Sequence, residues 1–373
     1  MKQCDAWKQQ QQKWAGEYGR SYDSSGYVYQ LNDNLFQPLS PEAEADFRAG
    51  SGGELERKVC ALHSSAALVC NVFDYWRARS LACLGAALGT GGTIEGMRFE
   101  AQFPTGLPGN PPNLDVALRL ESGQVWAIES KFTEPFGKKA SGSFKSKYFP
   151  GGCGIWRSYG LSQSAELAEA IQDGRERFLR LDAPQLLKHA LGLQVNHPGC
   201  FTLCYLYADG DGEEAAAHRA EIRRFGAGIE GDFPFVAMAY QSLFERLRVP
   251  GAGGDAAYFE YLEQRYSFMR RAKAAAVEYP MRLNVTEAVA HGLIESIPHQ
   301  ACRQGARRHW KVVDGAATET SVYWLFCWAK TGQGSRQAEA EARCVFDAIM
   351  PICFEQYDGL VRHDHARAHR YDR

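Results

Sequence analysis

Two runs of alternating apolar residues constrain this chain more than any other segment. They are Val116-Ala117-Leu118-Arg119-Leu120 and Gln124-Val125-Trp126-Ala127, and they flank Glu121-Ser122-Gly123. Period-2 alternation on both arms of a turn sequence predicts a β-hairpin with one face buried. A three-residue hairpin loop ends on a residue in the left-handed region, which glycine enters at no steric cost, and Gly123 stands at that place. Leu120 and Gln124 then flank the loop, and counting back sets Asp115 opposite Glu129. Side chains two apart along a strand share a face, so Lys131 joins Glu129. A two-residue loop would shift the register by one and carry Asp115 to the other face. The convergence of Asp115, Glu129 and Lys131 therefore depends on the turn.

Two carboxylates and a lysine on one face are the minimal set for metal-assisted cleavage of a phosphodiester. A hard cation such as Mg²⁺ needs only one or two protein carboxylates, because phosphate oxygens and waters complete its octahedron. Asp115 and Glu129 are the expected ligands. Lys131 is expected to stabilise developing negative charge or to orient and deprotonate the water. The same three residues are compatible with an exposed ion-pair ladder on a strand.

The flanking sequence supplies an order of elements. Leu55, Val59, Leu62, Ala66, Val69, Val72 and Phe73 recur at intervals of three or four and predict an amphipathic helix over 54–77. A strand is expected over 94–103, followed by the hairpin and by helical sequence over 162–181 and 183–193, with Pro184 tolerated in a first turn. Phe201 to Tyr207 reads as a central buried strand, and a further helical region is expected over 213–266. Helix, three strands, helix and strand make an α/β chain with a mixed sheet of the α+β kind.

These elements carry a resemblance. Asp115 with Glu129-Ser130-Lys131 resembles the PD-(D/E)XK nuclease superfamily. Longer stretches are similar to a bacterial restriction-endonuclease-like family within it: Gly53-Glu54-Leu55, Leu62 to Leu68, Asn71-Val72-Phe73, Asn113 to Val116, Glu129 to Pro135, and Gln185 to His189. The match extends over about residues 30 to 270 and is most specific in the His-Ser-Ser and Ser-Lys-Phe-Thr-Glu-Pro elements. The superfamily's proline stands three residues before Asp115 rather than beside it. The resemblance implies an αβββαβ restriction-endonuclease-like core with helical additions and a metal-dependent site. It also implies that Gln185, on the helix after the hairpin, reaches toward that site.

Other residues have two readings each. Glu100, closing the first strand, is either a further metal ligand or a solvent-facing carboxylate. Glu54 and Glu56 open a helix, where the dipole favours carboxylates in any case. Ser64 and Asn71 share a helix face and suit close packing better than phosphate contact. Lys138, Lys139, Lys145 and Lys147 lie in a Gly/Ser-rich loop with aromatic neighbours. With Lys188 they are candidates for DNA phosphate contacts, which would make affinity fall with salt, and the alternative is an ordinary solvated loop. His189 reads more simply as a packed or surface residue. Gly151-Gly152-Cys153-Gly154 lacks a partnering His or Asp and is not read as a nucleophile.

The whole chain sets bounds. It has 373 residues, of which 45% are hydrophobic, enough for a substantial core. A net charge of −2 argues against a nonspecific DNA-coating role but leaves room for a basic groove. Eleven cysteines without a CxxC pair disfavour a zinc ribbon and fit a reduced, cytoplasmic protein. Three segments are expected: irregular wrapping structure over 1–53, a nuclease-like domain over 54–270, and a C-terminal extension over 271–373. In the extension, 335–350 has helical character and His363, His365 and His369 mark a polar tail. The expected function is a Mg²⁺- or Mn²⁺-dependent endodeoxyribonuclease acting on double-stranded DNA, with a homodimer as one possible state. The alternative is a nuclease-fold protein that binds nucleic acid or a protein partner without cutting.

Overall fold

The computed structural model describes residues 3–50, 54–137, 144–248 and 254–266, together with strand segments 277–284, 310–313, 322–328 and 369–370. The chain divides into two compact units, Met1–Arg270 and Arg271–Arg373.

The first unit is built on a five-stranded mixed sheet in the order β1-β2-β3-β4-β5. The strands are β1 (Ile94–Gln102), β2 (Asn113–Leu120), β3 (Val125–Lys131), β4 (Phe201–Tyr207) and β5 (Phe235–Ala239). The first three are antiparallel neighbours, whereas β4 and β5 run parallel to β3. All seven residues of β4 are buried, as a strand covered on both faces requires. The hairpin has the loop its sequence predicts. Leu120 N–H donates to Gln124 O at 2.9 Å, Gly123 N–H donates to Leu120 O at 2.9 Å, and Gly123 has φ 83°. Val116 pairs with Ile128 and Ala117 with Ala127, so the register sets Asp115 against Glu129.

Among the described residues ten α-helices lie around this sheet: α1 (Gln3–Glu17), α2 (Pro41–Ala49), α3 (Ser65–Val69), α4 (Tyr75–Arg77), α5 (Leu81–Leu88), α6 (Ser162–Gln172), α7 (Ala183–Asn196), α8 (Gly212–Gly228), α9 (Tyr240–Leu247) and α10 (Ala256–Arg265). The cores on the two sides of the sheet are distinct. Val116, Leu118, Trp126, Ile128 and Cys204 pack with α3, α5, α9 and α10. Ala127, Leu203 and Tyr205 pack with α6, α7 and the later turns of α8.

The structure departs from the sequence-based expectations in four places, the first being the helix expected over 162–181, which ends at Gln172 ahead of Gly174 at φ 74°. The N-terminal 50 residues hold two helices rather than irregular structure alone. Trp7 and Trp14 of α1 are two turns apart and both buried, and Ser40 caps α2 ahead of Pro41. The helix expected over 54–77 is divided into a π-helical turn at Glu54–Lys58 and a second helical stretch that starts at Ser65. The break follows from Ser64, whose hydroxyl accepts hydrogen bonds from Ala66 N–H (3.1 Å) and Ala67 N–H (3.4 Å) and so begins a new helix. The helical region expected over 213–266 contains the short edge strand β5, which pairs with β4. Five apolar residues read equally well as helix or buried strand.

Helix α7 approaches the β1–β2 connection very closely. A Cβ on Gly192 would meet Phe103 O at 2.3 Å. Gly192→Ala should therefore displace the helix rather than merely fill space, at a cost of about 1–3 kcal/mol. A melt of the variant within 1 °C of wild type would contradict this packing.

The second unit holds β6 (Val277–Asn284), β7 (Trp310–Val313), β8 (Val322–Trp328) and β9 (His369–Arg370) in a sheet of order β7-β8-β6-β9. The apolar run at 322–328 is β8, an inner strand of this sheet between β7 and β6. The helix expected at 335–350, and His363 and His365, lie outside the described residues.

Candidate active site

The site forms where β2 and β3 part. The β2–β3 ladder ends at Val116 opposite Ile128, and in the next position a side chain replaces the backbone pairing. Ser130 N–H donates to Asp115 Oδ2 at 2.6 Å. Glu129 follows on the face turned toward α7 and is buried. Lys131 Nζ donates to Glu129 Oε1, with the lysine side chain only slightly exposed. The three residues singled out in the hairpin are thus brought together.

The platform behind them consists of the two most distinctive stretches of the sequence. Ser65 Oγ donates to Glu134 Oε1 and Phe132 N–H to Glu134 Oε2, both at 2.7 Å. Thr133 Oγ1 donates to His63 O at 3.3 Å. The Ser-Lys-Phe-Thr-Glu-Pro and His-Ser-Ser segments therefore lock to each other directly behind Lys131. Asn71 has the packing role: its side chain bonds Phe36 N–H, Asn34 O and the Tyr266 hydroxyl. On the far face of β3, Ser130 Oγ and Tyr240 OH stand 2.6 Å apart.

The electrostatics divide the two carboxylates. Burial opposes ionisation of Glu129, but the Lys131 ammonium and then the His189 ring outweigh it and hold the carboxyl down at about 2. Asp115 goes the other way. Desolvation, and after it the negative charge of Glu129, push its carboxyl well above the usual range; Glu100 adds to this, against Lys131 and the Ser130 N–H. Burial works to neutralise Lys131, yet Glu129 and Asp115 together keep its ammonium protonated well beyond the ordinary lysine range. One lysine thus faces more negative charge than it can balance.

Glu100 stands on β1 with φ 47°, the sole non-glycine residue at positive φ among the described residues. The β1–β2 pairing resumes on either side of it, with Phe99 opposite Val116 and Ala101 opposite Leu114. Asn113 Nδ2 donates to Glu100 Oε2 at 2.8 Å, and Asp46 of α2 takes the Phe99 N–H at 3.0 Å. A left-handed non-glycine residue costs about 1–2 kcal/mol, and strain of this kind is found where surrounding contacts impose it. Glu100 is buried rather than solvent-facing, and its charge is felt at Asp115.

Helix α7 supplies a residue whose simpler reading from the sequence is structural. His189, treated as a packed or surface residue, is buried with Nε2 3.0 Å from Glu129 Oε2. The contact lies off the line of a well-directed hydrogen bond, and His189 Nδ1 has no hydrogen-bond partner among the described residues. Gln185 is one turn earlier on the same helix, half-buried, with its backbone N–H on the Asp182 cap at 3.1 Å. Helix α7 returns the chain from β3 to the parallel β4 and so runs opposite to β3. Four residues of helix rise about 6 Å, which two residues of strand nearly match. Gln185 is therefore level with Lys131 when His189 is level with Glu129. The four-residue spacing of Gln185 and His189 was the available signal for His189.

The basic candidates divide into two groups. Lys138 and Lys139 lie outside the described residues. Lys145 is exposed and Lys147 Nζ donates to Pro108 O. Lys188 Nζ lies 5.4 Å from the Phe144 ring centre and 5.8 Å from that of Tyr148. Partial burial lowers the Lys188 ammonium's proton affinity; Asp182 opposes this, and the charges of Lys145 and Lys147 lower it further, so the three lysines are close enough to feel one another.

The donor set fits a hard cation. Glu129 Oε2 is buried without a directed hydrogen bond, and Asp115, partly buried, stands opposite Glu129 in the strand register. Among the described residues no three His, Cys, Asp or Glu side chains cage a metal by themselves. Two carboxylates with waters and phosphate oxygens are the usual arrangement for Mg²⁺, which keeps much of its hydration.

No curated protein and no solved structure gives a significant match to this chain. No helix among the described residues is long and apolar enough to cross a membrane. The mixed five-stranded sheet with its flanking helices is compatible with a restriction-endonuclease-like fold. The family model described as restriction endonuclease associating with ARP matches residues 2–267, and the chain belongs to that family.

Proposed function

We propose that this chain is a metal-dependent endodeoxyribonuclease of the restriction type, acting on double-stranded DNA. The observation that carries the reading is the meeting of Asp115, Glu129 and a protonated Lys131 where β2 and β3 part, with more negative charge than the lysine balances. Asp115 and Glu129 are the residues that would hold Mg²⁺ or Mn²⁺, with Glu100 placed to add its charge through Asp115. Such an ion supplies charge neutralisation on the phosphate and a more acidic bound water.

The protein's own groups do the rest. Lys131, kept protonated by its two carboxylate neighbours, serves as a fixed positive charge against the phosphorane-like transition state rather than as a base. Gln185, one turn before His189 on α7 and half-buried, would orient the attacking water. Water oxygen forms a bond to phosphorus, the P–O bond to one deoxyribose breaks, a water proton passes to solvent and the leaving oxygen takes one up. Lys145, Lys147 and Lys188, with Lys138 and Lys139 from the same loop, would contact the DNA backbone.

Plasmid cleavage with Mg²⁺ or Mn²⁺ tests this reading, comparing wild type with Asp115→Ala, Glu129→Ala and Lys131→Ala. Each variant should lose roughly 10²–10³-fold or more in rate. Metal-dependent cutting that survives all three changes would remove the site from consideration. Salt-sensitive DNA binding with no metal-dependent cutting would replace the enzyme by a non-cleaving binder of the same fold. The basic cluster makes a separate prediction. Lys145→Ala, Lys147→Ala and Lys188→Ala together should weaken DNA binding at every sequence and reduce the slope of log K against log salt by about 2–3. An unchanged slope would place the DNA elsewhere.

A further inference from the structure

We infer that His189 is a positioning residue for Glu129, fixing the carboxylate oxygen that would face a divalent cation; this rests on the proposed metal-dependent reading of the site. Glu129 is buried, and its two oxygens have different surroundings. Oε1 is held by Lys131, which rises from the same strand two residues on. Oε2 has no directed hydrogen bond among the described residues, and the group that approaches it is His189 Nε2 of α7, whose neighbours Leu186 and Ala190 belong to the apolar core on that side of the sheet. A carboxylate held at one oxygen by a long flexible ammonium retains freedom to rotate. A ring nitrogen 3.0 Å from the other oxygen removes that freedom.

Two features suit the ring to this task. Neither ring nitrogen has a directed hydrogen bond among the described residues, so no other hydrogen-bond partner draws the ring away from its 3.0 Å approach to Glu129 Oε2. The ring itself is held within a turn that also carries Trp156 on the Leu187 carbonyl at 2.7 Å. The neighbouring residue on α7, Lys188, points to the aromatic and lysine cluster instead. A single rigid helix thus presents His189 to the carboxylate and Lys188 to the basic cluster. Partners that orient a metal-ligating side chain in this way change metal affinity about 10–100-fold when removed.

The test is Mn²⁺ binding to the full chain by calorimetry, with cleavage measured as a function of Mn²⁺ concentration. His189→Ala should weaken Mn²⁺ binding about 10–100-fold and raise the Mn²⁺ needed for half-maximal cleavage by a similar factor. His189→Gln, which keeps an N–H at comparable reach, should recover most of the affinity and keep the rate at saturating Mn²⁺. Equal Mn²⁺ affinity in wild type and His189→Ala overturns the inference. So does an equal loss in both variants tracking a fall in melting temperature, because that pattern belongs to a purely structural residue. Wild type that binds no Mn²⁺ would instead overturn the metal-dependent reading itself, and the role of His189 with it.

Discussion

Asp115→Asn is expected to abolish cleavage and, in the metal-free protein, to raise the melting temperature. The loss of activity, on the order of 10³-fold, follows from removing a charged ligand at the point where β2 and β3 part. The gain in stability follows from the surroundings of Asp115. Desolvation and the Glu129 charge push its carboxyl well above the usual range. A carboxyl whose folded value exceeds its unfolded value stabilises the fold while protonated. That contribution is present at low pH and is lost as pH rises through the folded value. Asparagine keeps an oxygen for the Ser130 N–H and carries no charge. The difference in melting temperature between variant and wild type should therefore widen as pH rises, and Mg²⁺ should narrow it by stabilising wild type alone. About 2–4 °C corresponds to roughly 1 kcal/mol in a domain of this size. An Asp115→Asn protein that melts below wild type at neutral pH would contradict this account.

Glu129→Gln should stop cleavage with the opposite effect on stability. Its carboxyl is held at about 2, below the 4.5 of an ordinary glutamate, so its contribution is present above that ordinary value and is lost as pH falls toward 2. Removing the charge leaves the buried Lys131 ammonium without its nearest partner, which costs about 3–5 kcal/mol. Two adjacent carboxylates with equal effects on activity and opposite effects on stability are a signature that a chance ion-pair ladder would not produce.

Arg265→Ala carries the largest structural effect. This residue is fully buried at the end of α10, and all its donors are engaged. It reaches Gln11 Oε1 from Nε, Asn34 O and Tyr261 OH from Nη1, and Asn34 Oδ1 and Leu62 O from Nη2. Its guanidinium also lies 4.7 Å from the Trp14 ring centre and 4.9 Å from that of Tyr266. No carboxylate is among these partners, so planarity and donor count make the site specific to arginine. Truncation would leave several buried acceptors unmet and open a cavity beneath Trp14, at about 3–5 kcal/mol. Arg265→Lys should recover little of this, because an ammonium cannot make the planar fork. Denaturant unfolding of both variants measures the loss, and a cost below about 1 kcal/mol would mean that the N-terminal helix is held by other contacts.

The site was legible in the chain to the extent that it is local. The hairpin arms, the Gly123 turn and the two-residue spacing of Glu129 and Lys131 are properties of fewer than twenty consecutive residues, and their register follows from the period of a strand. The order of β1, β2, β3, α7 and β4 was likewise readable, because each carries its own periodicity. Strand β5 was not. Its five apolar residues acquire strand character from pairing with β4, and no local signal separates them from helix. The division of the 54–77 helix was written in Ser64, yet a hydrophobic repeat running through the break concealed it.

The remaining decisions belong to tertiary contact. A histidine on α7 becomes part of the site because the crossover lays that helix antiparallel to β3 and level with Glu129, across 59 residues of intervening chain. Glu100 becomes a buried, strained carboxylate because α2 and Asn113 close around it. The opposite proton affinities of Asp115 and Glu129 arise from which of the two the Lys131 ammonium and the His189 ring reach. The amino-acid sequence by itself determined the hairpin, its register and the identity of the three charged residues, because backbone periodicity and turn geometry act over short range. Only the tertiary structure decided their charge states and the helix that supports them, because desolvation and ion pairing depend on what is adjacent in space rather than along the chain.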